Sequence, residues 1–434
     1  MNDISPADYK SLQLAVSAHR EGKLEQAKTI YASLVRKYPD SPSILNAMGT
    51  VLLDMGLVDE AESYFSKASS QNPPYVPALY NLARIKQVRG KTSEAKNLYE
   101  IIVEKRPDLG QAWNNLALIL RDEGKAQSAC VAMEQAAKLF PDHPEILNNL
   151  GVILEALGQT KEAESYFVQA IKLQPEYLSA HFNLACLYHK SDRFKEAERE
   201  LQWVLSRKPD DPGARYLFQT LGRLPAPERA PAEYVSKTFD DCAVNFEEKL
   251  AALGYKTPEM LFCLVRPYLK KGIRILDLGC GTGLGAQFYR KYAALLYGMD
   301  CSEKMLNIAQ KKGLYDKLLN QDILSTWTTN QSFDCIYSSD CLVYFGNLLP
   351  VFSKVTQHLR HGGLFAFTVE QLTSPGENQD FKLGRTGRFA HRSGYVESCL
   401  EQFGLKPLEI EACTLRKEAG KPVKGLLVLS TLNP

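Results

Sequence analysis

A 34-residue periodicity runs through the first half of the chain and limits what it can fold into. Alanines recur at this interval without a slip, at Ala27, Ala61, Ala95, Ala129, Ala163 and Ala197. A proline follows each of them twelve residues later, at Pro39, Pro73, Pro107, Pro141, Pro175 and Pro209. A fixed period of this length is typical of stacked two-helix units, in which proline ends the second helix because it cannot continue it. The first half therefore predicts six such units in register.

The period and its small residues resemble the tetratricopeptide repeat (TPR). Ala83, Ala117 and Gly151 occupy positions where small side chains let two helices cross closely. The resemblance implies an all-α solenoid of six repeats plus a capping helix over residues 8–222, with the cap at 212–222 shielding the last apolar face.

A second periodic residue predicts what the solenoid does. Asparagines lie on the first helix of successive repeats, at Asn81, Asn115, Asn149 and Asn183. Similar arrays use such an asparagine ladder in their concave groove to hold the backbone of an extended peptide, since an amide both donates and accepts hydrogen bonds. The alternative is that these amides are solvated or bridge neighbouring helices. The binding interpretation predicts a protein or peptide partner.

Composition excludes several other classes. The 434 residues are 45% hydrophobic and carry a formal net charge of +2, without the basic excess typical of nucleic-acid or anionic-membrane binding. The ten cysteines form no Cys-x-x-Cys pair, which argues against a zinc site and against a disulfide framework. Neither a secretory signal nor an apolar run of the ~20 residues needed to span a bilayer is visible. We therefore expect a cytoplasmic protein without nucleic-acid or membrane partners.

The second half has a different pattern. A proline-rich linker is predicted at 223–232, and an α/β domain at 233–434. Short apolar strands alternate with amphipathic helices, which predicts a mostly parallel sheet covered on both faces. The predicted strands are 273–279, 294–300, 317–322, 333–339, 363–370, 407–413 and 424–431. The last two leave no room for a long helix between them, which suits an antiparallel edge.

The first of these strands runs directly into a glycine-rich turn. Gly279, Gly281 and Gly283 alternate with Cys280 and Thr282 before a helix-like segment. Glycine lets a ligand lie directly against the main chain, so a strand–glycine turn–helix unit predicts a nucleotide-type cofactor site.

Acidic residues stand at three strand positions around this turn. Asp277 lies inside the apolar first strand, where a carboxyl is costly to bury without a partner. Asp300 ends the second strand, 21 residues after Gly279, where a carboxylate can accept both ribose hydroxyls, and Asp322 ends the third. One such acid alone could merely cap the next helix. Three around one glycine turn favour a ligand site.

This constellation resembles the class I S-adenosylmethionine (SAM) methyltransferases, which have a Rossmann-like α/β fold. The resemblance implies SAM as cofactor and a methyl transfer that requires no metal. Asp277 would orient the loop or the ligand's ammonium group, and Asp322 would hold the adenine amino group. The cofactor-binding residues implied are Asp277, Gly279, Cys280, Gly281, Gly283, Asp300, Cys301, Asp322 and Ile323.

Two rival interpretations are weaker. Gly281-x-Gly283-x-x-Ala286 fits the relaxed nicotinamide fingerprint, but Asp277, Asp322 and the hairpin-like last strands favour SAM. Asn72-Pro73-Pro74-Tyr75 spells a motif of amino-group methyltransferases, where it follows the fourth strand of the catalytic sheet. Here Pro73 is a repeat-terminal proline, so we interpret the run as a repeat junction.

The resemblance extends to one particular group, bacterial methyltransferases fused to TPR repeats. A segment from Phe239 to Pro258 is similar to the entrance segment of that group, and Gly387-Arg388-Phe389-Ala390-His391 with Tyr395 is similar to a later signature. Similarity to arginine methyltransferases fails, because the segment 338–344 after the fourth strand has no pair of glutamates.

Candidates for the methyl-acceptor side are Asp340, Tyr344, His391 and Tyr395. A base is needed only if the nucleophile must lose a proton, and each residue has a structural alternative as helix cap, core residue or loop residue. Basic residues around His391 favour an anionic acceptor, unless they are simply solvated: Lys382, Arg385, Arg388 and Arg392.

Three functions remain open. The chain is predicted to be a SAM-dependent methyltransferase whose TPR array docks a protein substrate or partner. The alternatives are a non-catalytic TPR scaffold with a relic SAM site and a small-molecule carboxyl or hydroxyl methyltransferase.

Overall fold

The computed structural model describes residues 5–71, 73–373, 379–418 and 420–433. The chain forms two compact units, Met1–Leu187 and Tyr188–Pro434. The linker and domain boundaries expected at 222 and 233 stay predictions. Within the described residues, no helix combines the length and the apolar character that crossing a membrane would need.

Thirteen helices follow one another in the described part of the chain up to residue 220. They are α1 (Pro6–Arg20), α2 (Leu24–Lys37), α3 (Pro42–Asp54), α4 (Val58–Ser69), α5 (Val76–Val88), α6 (Thr92–Lys105), α7 (Gly110–Asp122), α8 (Ala126–Leu139), α9 (Pro144–Ala156), α10 (Thr160–Leu173), α11 (Leu178–Lys190), α12 (Phe194–Arg207) and α13 (Pro212–Thr220). The first ten form five of the six predicted pairs, and α11, α12 and α13 lie where the sixth pair and the capping helix are expected.

The periodic residues explain the helix pairs. Each turn inside a pair has a residue with positive φ, from +57° at Asp192 to +77° at Gly56, which glycine adopts at little cost. The recurring alanines are fully buried. Small residues face large ones, since a Cβ added at Gly49 would lie 2.7 Å from the Phe65 ring, and one at Gly151 2.6 Å from the Phe167 ring. The array is therefore specified by close packing repeated every 34 residues.

The Asn-Pro-Pro-Tyr run lies between two repeats. Tyr75 is the N-cap residue of α5, and its carbonyl oxygen accepts from the N–H groups of Ala78 and Leu79. Asn72 lies outside the described residues. The interpretation as a repeat junction agrees with the position of Tyr75.

The second unit continues with short helices and a mixed sheet. Its helices are α14 (Ala232–Cys242), α15 (Phe246–Ala252), α16 (Thr257–Val265), α17 (Ala286–Tyr289), α18 (Glu303–Lys311), α19 (Leu349–His358) and α20 (Ser393–Gln402). Its strands are β1 (Ile273–Leu278), β2 (Ala293–Asp300), β3 (Lys317–Asn320), β4 (Phe333–Ser338), β5 (Leu359–Gln371), β6 (Phe381–Leu383), β7 (Phe389–His391), β8 (Leu405–Glu418) and β9 (Lys421–Leu432).

The sheet has the order β3-β2-β1-β4-β5, with all of these neighbours parallel. Strand β9 pairs antiparallel with β5, and β8 pairs antiparallel with β9, which confirms the predicted fold class and the antiparallel edge. The short strands β6 and β7, absent from the prediction, pair with each other and with the end of β5. The strand order reverses between β1 and β4, and ligands of open α/β sheets bind outside the carboxyl ends at such a point.

Successive residues of the central strands pack on opposite faces of the sheet. Leu276, Ile336 and Phe365 belong to one buried apolar cluster, whereas Ile275 and Tyr337 belong to the other. The sheet thus has an apolar core on each face, as expected for a sheet covered on both sides, and its functional groups lie at the strand ends.

Candidate active site

A cavity opens in the second unit at the carboxyl ends of β1, β2 and β4. We define two groups of residues in its wall. The glycine-loop group consists of Asp277, Gly279, Cys280, Gly281, Asp300, Cys301, Asp322 and Ile323, and the arginine group of Asp340, Tyr344, Arg388, Arg416 and Glu418. Ten of the thirteen residues predicted from the sequence line this cavity. Gly283, His391 and Tyr395 are not among the described residues that do.

The glycine loop turns sharply after β1, with φ of +77° at Gly279, +52° at Gly281 and +83° at Gly283. A Cβ at Gly279 would lie 2.3 Å from the Sγ atom of Cys341, so no larger residue fits there. At Gly281 the nearest atom, on the Phe246 ring, would be 4.0 Å away. The main chain at Gly281 is therefore accessible from the cavity.

Asp300 at the end of β2 is tied to this loop. Its Oδ2 atom accepts the Gly281 N–H at 2.8 Å, and its Oδ1 atom accepts the Ser302 N–H at 2.9 Å. Burial raises the pKa of Asp300, while the N–H groups of Ser302 and Gly281 act in the opposite direction. The carboxyl thus fixes the loop and also lines the cavity.

Asp277 in β1 is 3% exposed and has two tyrosine partners. The hydroxyls of Tyr337 and Tyr315 donate to its Oδ2 atom at 2.6 and 2.7 Å. Burial raises the pKa of Asp277 to about 7, against the lowering effect of the two hydroxyls. This carboxyl therefore changes charge near neutral pH, within reach of a cavity ligand.

Asp322 is paired with a cation, Arg229, that sequence analysis did not select. Arg229 donates from Nη1 to both carboxylate oxygens of Asp322 at 2.8 and 2.9 Å, and Oδ1 also accepts the Leu324 N–H at 2.7 Å. Arg229 lies within the predicted linker, 93 residues before its partner, so no local pattern signals the pair.

The arginine group is centred on Arg416 in β8, whose side chain is 3% exposed. It donates from Nη1 to Asp340 and from Nε to Glu418, both at 2.8 Å, and from Nη2 to Glu370. Burial raises the pKa of Asp340 against the lowering effect of Arg416. Three carboxylates thus share one buried guanidinium, which would be costly to remove.

Asp340 is held by its backbone as well. Its φ of +56° is unusual for a residue with a side chain, and its N–H donates to Thr368 Oγ1 at 2.8 Å. Arg388 also pairs with Glu418, next to the buried phenol of Tyr344. Only Asp340, Tyr344 and Arg388 of this group were singled out in the sequence, and Arg416 and Glu418 lie in a strand that carries no motif.

The structure separates His391 and Tyr395 from the other catalytic candidates. His391 is fully buried, and its Nε2 atom lies 2.8 Å from the Phe345 carbonyl oxygen and 3.1 Å from that of Gly346. Burial lowers the pKa of His391 to about 4, so the ring is uncharged at neutral pH. The Tyr395 hydroxyl accepts the Leu348 N–H at 3.0 Å. The contacts of His391 and Tyr395 both fix the chain after the fourth strand. This is the structural role given above as the alternative to a catalytic one.

The basic residues predicted around His391 do not form one cluster. Arg385 lies over the Phe194 ring at 4.4 Å, and Arg392 pairs with Asp380 at 2.8 Å. Arg388 is the member of the set that reaches the cavity, where it meets Glu418. The two guanidinium groups of the arginine group are matched by its two carboxylates, and Glu370 pairs with Arg416 as well, so no surplus positive charge is offered to an anionic acceptor.

The cavity wall contains polar groups suited to a ligand. Thr282 Oγ1 and Ser339 Oγ lie in the wall beside the Glu247 carboxyl and the Tyr255 hydroxyl. A hydroxyl both donates and accepts hydrogen bonds, so these two groups suit a polar ligand in the cavity. Together with the open main chain at Gly281 and the carboxyls of Asp277 and Asp300, they fit the amino-acid and ribose parts of SAM. No group of three potential metal ligands occurs in the described ranges.

The asparagine ladder lies in the first unit and is partly exposed. Asn81, Asn149 and Asn183 donate from Nδ2 to Asn46, Asn114 and Asn148 of the preceding repeat, at 3.1, 3.5 and 2.9 Å. Asn115 donates to the hydroxyls of Tyr99 and Tyr80 at 3.0 and 3.4 Å. The ladder amides therefore bridge neighbouring repeats, as the alternative to peptide binding predicts.

Family models match both halves of the chain. Residues 276–367 match a model described as a methyltransferase domain. Residues 11–41, 52–119, 108–176 and 154–219 match models of the tetratricopeptide repeat. The protein thus combines N-terminal TPR repeats with a C-terminal class I methyltransferase domain.

Curated relatives match parts of the chain. Sterol 24-C-methyltransferase ERG6B of Gibberella zeae is 30% identical over 27% of this chain and 33% of its own length. The malonyl-[acyl-carrier protein] O-methyltransferase of Pectobacterium atrosepticum is 25% identical over 36% of this chain and 63% of its own. Phosphoethanolamine N-methyltransferase 1 of Zea mays is 31% identical over 31% of this chain and 27% of its own length. The chain thus spans less than two thirds of each.

Solved structures are similar to each half. An S-adenosylmethionine-dependent methyltransferase from Clostridium acetobutylicum is 21% identical, with 44% of this chain and all of that chain covered and a TM-score of 0.35. The TPR protein YrrB, described as having an unusual peptide-binding site, is 18% identical. The match covers 44% of this chain and 97% of that chain, with a TM-score of 0.41.

Proposed function

We propose that the protein binds SAM in this cavity and transfers its methyl group to an acceptor near the arginine group. The observation that carries the proposal is the convergence of the glycine loop, Asp300 and Asp322 in one cavity that also contains Asp340. These residues come from four different strand ends, and a purely structural role for each does not explain why they share one cavity.

The glycine-loop group would hold the cofactor. Asp277 and the main chain at Gly279 and Gly281 would bind the methionine part, Asp300 the ribose, and Asp322 with Ile323 the adenine. When bound, SAM would supply a methyl group attached to a sulfonium sulfur, for transfer to a nucleophile by in-line displacement. The apolar wall of Phe246, Leu250 and Phe345 would exclude water.

The arginine group would orient the acceptor. Asp340 is partly buried, with its side chain 15% exposed, and desolvation raises its pKa, which suits a carboxyl that accepts a hydrogen bond or a proton from a nucleophile. Arg416 fixes this carboxyl in place. The names of the relatives specify transfer to carbon, oxygen and nitrogen, so they do not select one acceptor atom.

We further propose that the TPR repeats dock a protein, either the acceptor or its carrier. TPR arrays generally bind peptides or proteins. The ladder amides are partly exposed, and each donates to a neighbouring side chain, Asn115 to two of them, which holds the amide in a fixed orientation. A fixed row of amides suits the repeating donors and acceptors of an extended peptide.

Transfer of radiolabel from SAM to cell lysate tests the enzymatic proposal. We expect label in either the protein or the small-molecule fraction with wild-type protein, and at most a tenth of it with Asp300→Asn at limiting SAM. SAM binding without transfer to any fraction would favour the relic-scaffold alternative, and absence of SAM binding would refute the proposal.

A ladder variant tests docking. The double variant Asn115→Ala with Asn149→Ala should weaken the binding free energy of the partner by about 1–3 kcal/mol, the range for lost buried hydrogen bonds, and so lower partner recovery. The affinity for SAM should stay unchanged. Asn97→Ala, at an exposed position of α6, is the control. Equal recovery of the same partners by the ladder variant and the control would exclude the ladder as the docking surface.

A further inference from the structure

The turn between β6 and β7 carries one residue of the arginine group. It is closed by two backbone hydrogen bonds, from Gly384 N–H to the Arg388 carbonyl at 2.8 Å and from Gly387 N–H to the Gly384 carbonyl at 3.1 Å. Gly387 has a φ of +76°. Arg388 follows directly, lines the cavity and pairs with Glu418. The conformation of this turn therefore determines where the Arg388 guanidinium lies.

Helix α13 holds this turn from outside the sheet. Tyr216 of α13 is fully buried, and its hydroxyl donates to the Gly387 carbonyl oxygen at 2.8 Å. A Cβ added at Gly387 would lie 3.5 Å from the Tyr216 ring, so the ring packs directly on the turn. Arg385, in the same turn, lies over the ring of Phe194 in α12. Two helices at the end of the repeat series thus contact the five-residue turn between β6 and β7, residues 384–388.

The Tyr216 ring also packs toward the cavity wall. Its centroid lies 5.0 Å from that of Tyr234 in α14. The same helix supplies Phe239, which lines the cavity and meets the Tyr344 ring edge-on at 5.6 Å. Tyr216 is therefore linked to the arginine group by two routes, through Gly387 to Arg388 and through α14 to Tyr344.

The segment after α13 is hydrogen-bonded to the same wall. The Glu228 carbonyl accepts the N–H groups of Gly346 and Asn347 at 2.7 and 2.9 Å, and Ala230 N–H donates to the Tyr344 carbonyl at 2.8 Å. Between them Arg229 pairs with Asp322. Arg229 and Ala230 of the predicted linker thus line the cavity, and Glu228 holds the chain beside it.

We propose that Tyr216 is a positioning residue for methyl transfer, which acts by fixing Gly387 and thereby the Arg388 guanidinium beside the acceptor. The proposal rests on the proposed function, because it assigns Arg388 to the acceptor. Tyr216 does not touch substrate or cofactor. The last helix of the repeat series is thus part of the active-site support, and methyl transfer requires it.

The test uses full-length Tyr216→Phe, which removes only the hydroxyl. The matched control is Tyr38→Phe, which removes a tyrosine hydroxyl that donates to Asp8 at 2.9 Å in the first repeat. Hydrogen exchange read by mass spectrometry requires no activity. We expect Tyr216→Phe to speed exchange in the peptide 381–391 by about tenfold, with no change there in Tyr38→Phe.

A double-mutant cycle supplies the functional arm. Tyr216→Phe should slow label transfer from SAM about tenfold at unchanged SAM affinity. In an Arg388→Gln background it should slow transfer by less than twofold, since the residue through which it acts is already gone.

Three results would overturn the proposal. They are unchanged exchange in 381–391, equal slowing in both backgrounds, and equal slowing by Tyr38→Phe. If wild-type protein transfers no label, the proposed function fails, and the exchange arm alone decides whether Tyr216 fixes the turn.

Discussion

Two contacts of the cavity wall, one in each group, differ in how far apart in sequence the interacting residues lie, although the glycine-loop group also contains one distant pair, Asp322 with Arg229. In the glycine-loop group, the carboxyl of Asp300, at the end of β2, accepts the N–H of Gly281, 19 residues away in the loop after β1. In the arginine group, Asp340 is held by Arg416, 76 residues away, in a different strand. The first arrangement follows from consecutive βα units, whereas the second exists only when the whole sheet has formed. The comparison implies that cofactor binding and acceptor placement have separate structural requirements.

The largest expected effect concerns stability in the arginine group. Arg416→Met leaves the carboxyls of Asp340, Glu370 and Glu418 without their shared cation. We expect a loss of about 3–5 kcal/mol in the free energy of unfolding, the range for breaking a buried ion pair. Denaturant titration of the full chain measures it.

The control for this prediction is Arg360→Gln, which removes a partly exposed pair with Asp334. Exposed pairs contribute about 1 kcal/mol or less. If the two variants were equally stable, the arginine group would not be the buried network described above.

The next effect concerns affinity in the glycine-loop group. Asp300→Asn removes the charge that holds Gly281 and Ser302 and would bind the ribose. We expect SAM affinity to fall about 10- to 100-fold, which corresponds to charge-assisted hydrogen bonds of about 1.5–3 kcal/mol. Calorimetry with Asp316→Asn as control measures it, since Asp316 also accepts a backbone N–H but lies outside the cavity lining. Equal affinities for the two variants would remove Asp300 from the cofactor site.

The smallest effect concerns pH. Because the pKa of Asp277 is raised to about 7, the carboxyl is mostly protonated at pH 6 and mostly ionised at pH 8. A cationic ligand prefers the ionised form, so SAM affinity should rise about tenfold over this interval. Asp277→Asn should abolish the rise. A wild-type affinity independent of pH would show that Asp277 does not contact the cofactor's charge.

The raised pKa of Asp277 also makes the free energy of unfolding of the ligand-free protein depend on pH. Since the folded-state pKa of Asp277 lies above its unfolded value, the folded state binds more protons between about pH 4 and 7. The contribution of Asp277 to stability is therefore greatest below this window and is lost as pH rises through 7. Comparing unfolding free energies of wild type and Asp277→Asn at pH 5 and 8 measures this contribution.

The sequence predicts most of the fold because its signals are local. The 34-residue period specifies the helix pairs, and alternating apolar segments specify the sheet. Strands β6 and β7 were missed because three-residue strands carry no period. The start of β5 at Leu359 lies four residues before the predicted start, since it follows α19 without a turn signal.

For the candidate site, sequence reasoning reached the residues next to strand ends. It missed Arg229 and Arg416 because their partners lie 93 and 76 residues away, and no spacing rule connects them. It selected His391 from the late segment 387–395, which is similar to a signature of TPR-fused methyltransferases, whereas the structure buries the ring against the carbonyls of Phe345 and Gly346. Burial of this kind depends on tertiary packing, which one sequence does not reveal.

The separation of the two groups can be tested directly by measuring SAM affinity and label transfer on the same two variants. Asp340→Asn should bind SAM within twofold of wild type and transfer label about 100-fold more slowly, the lower range for loss of a general base. Asp300→Asn should bind weakly but recover most of its transfer rate at saturating SAM. Wild-type transfer by Asp340→Asn, or equal loss of SAM binding in both variants, would contradict the account.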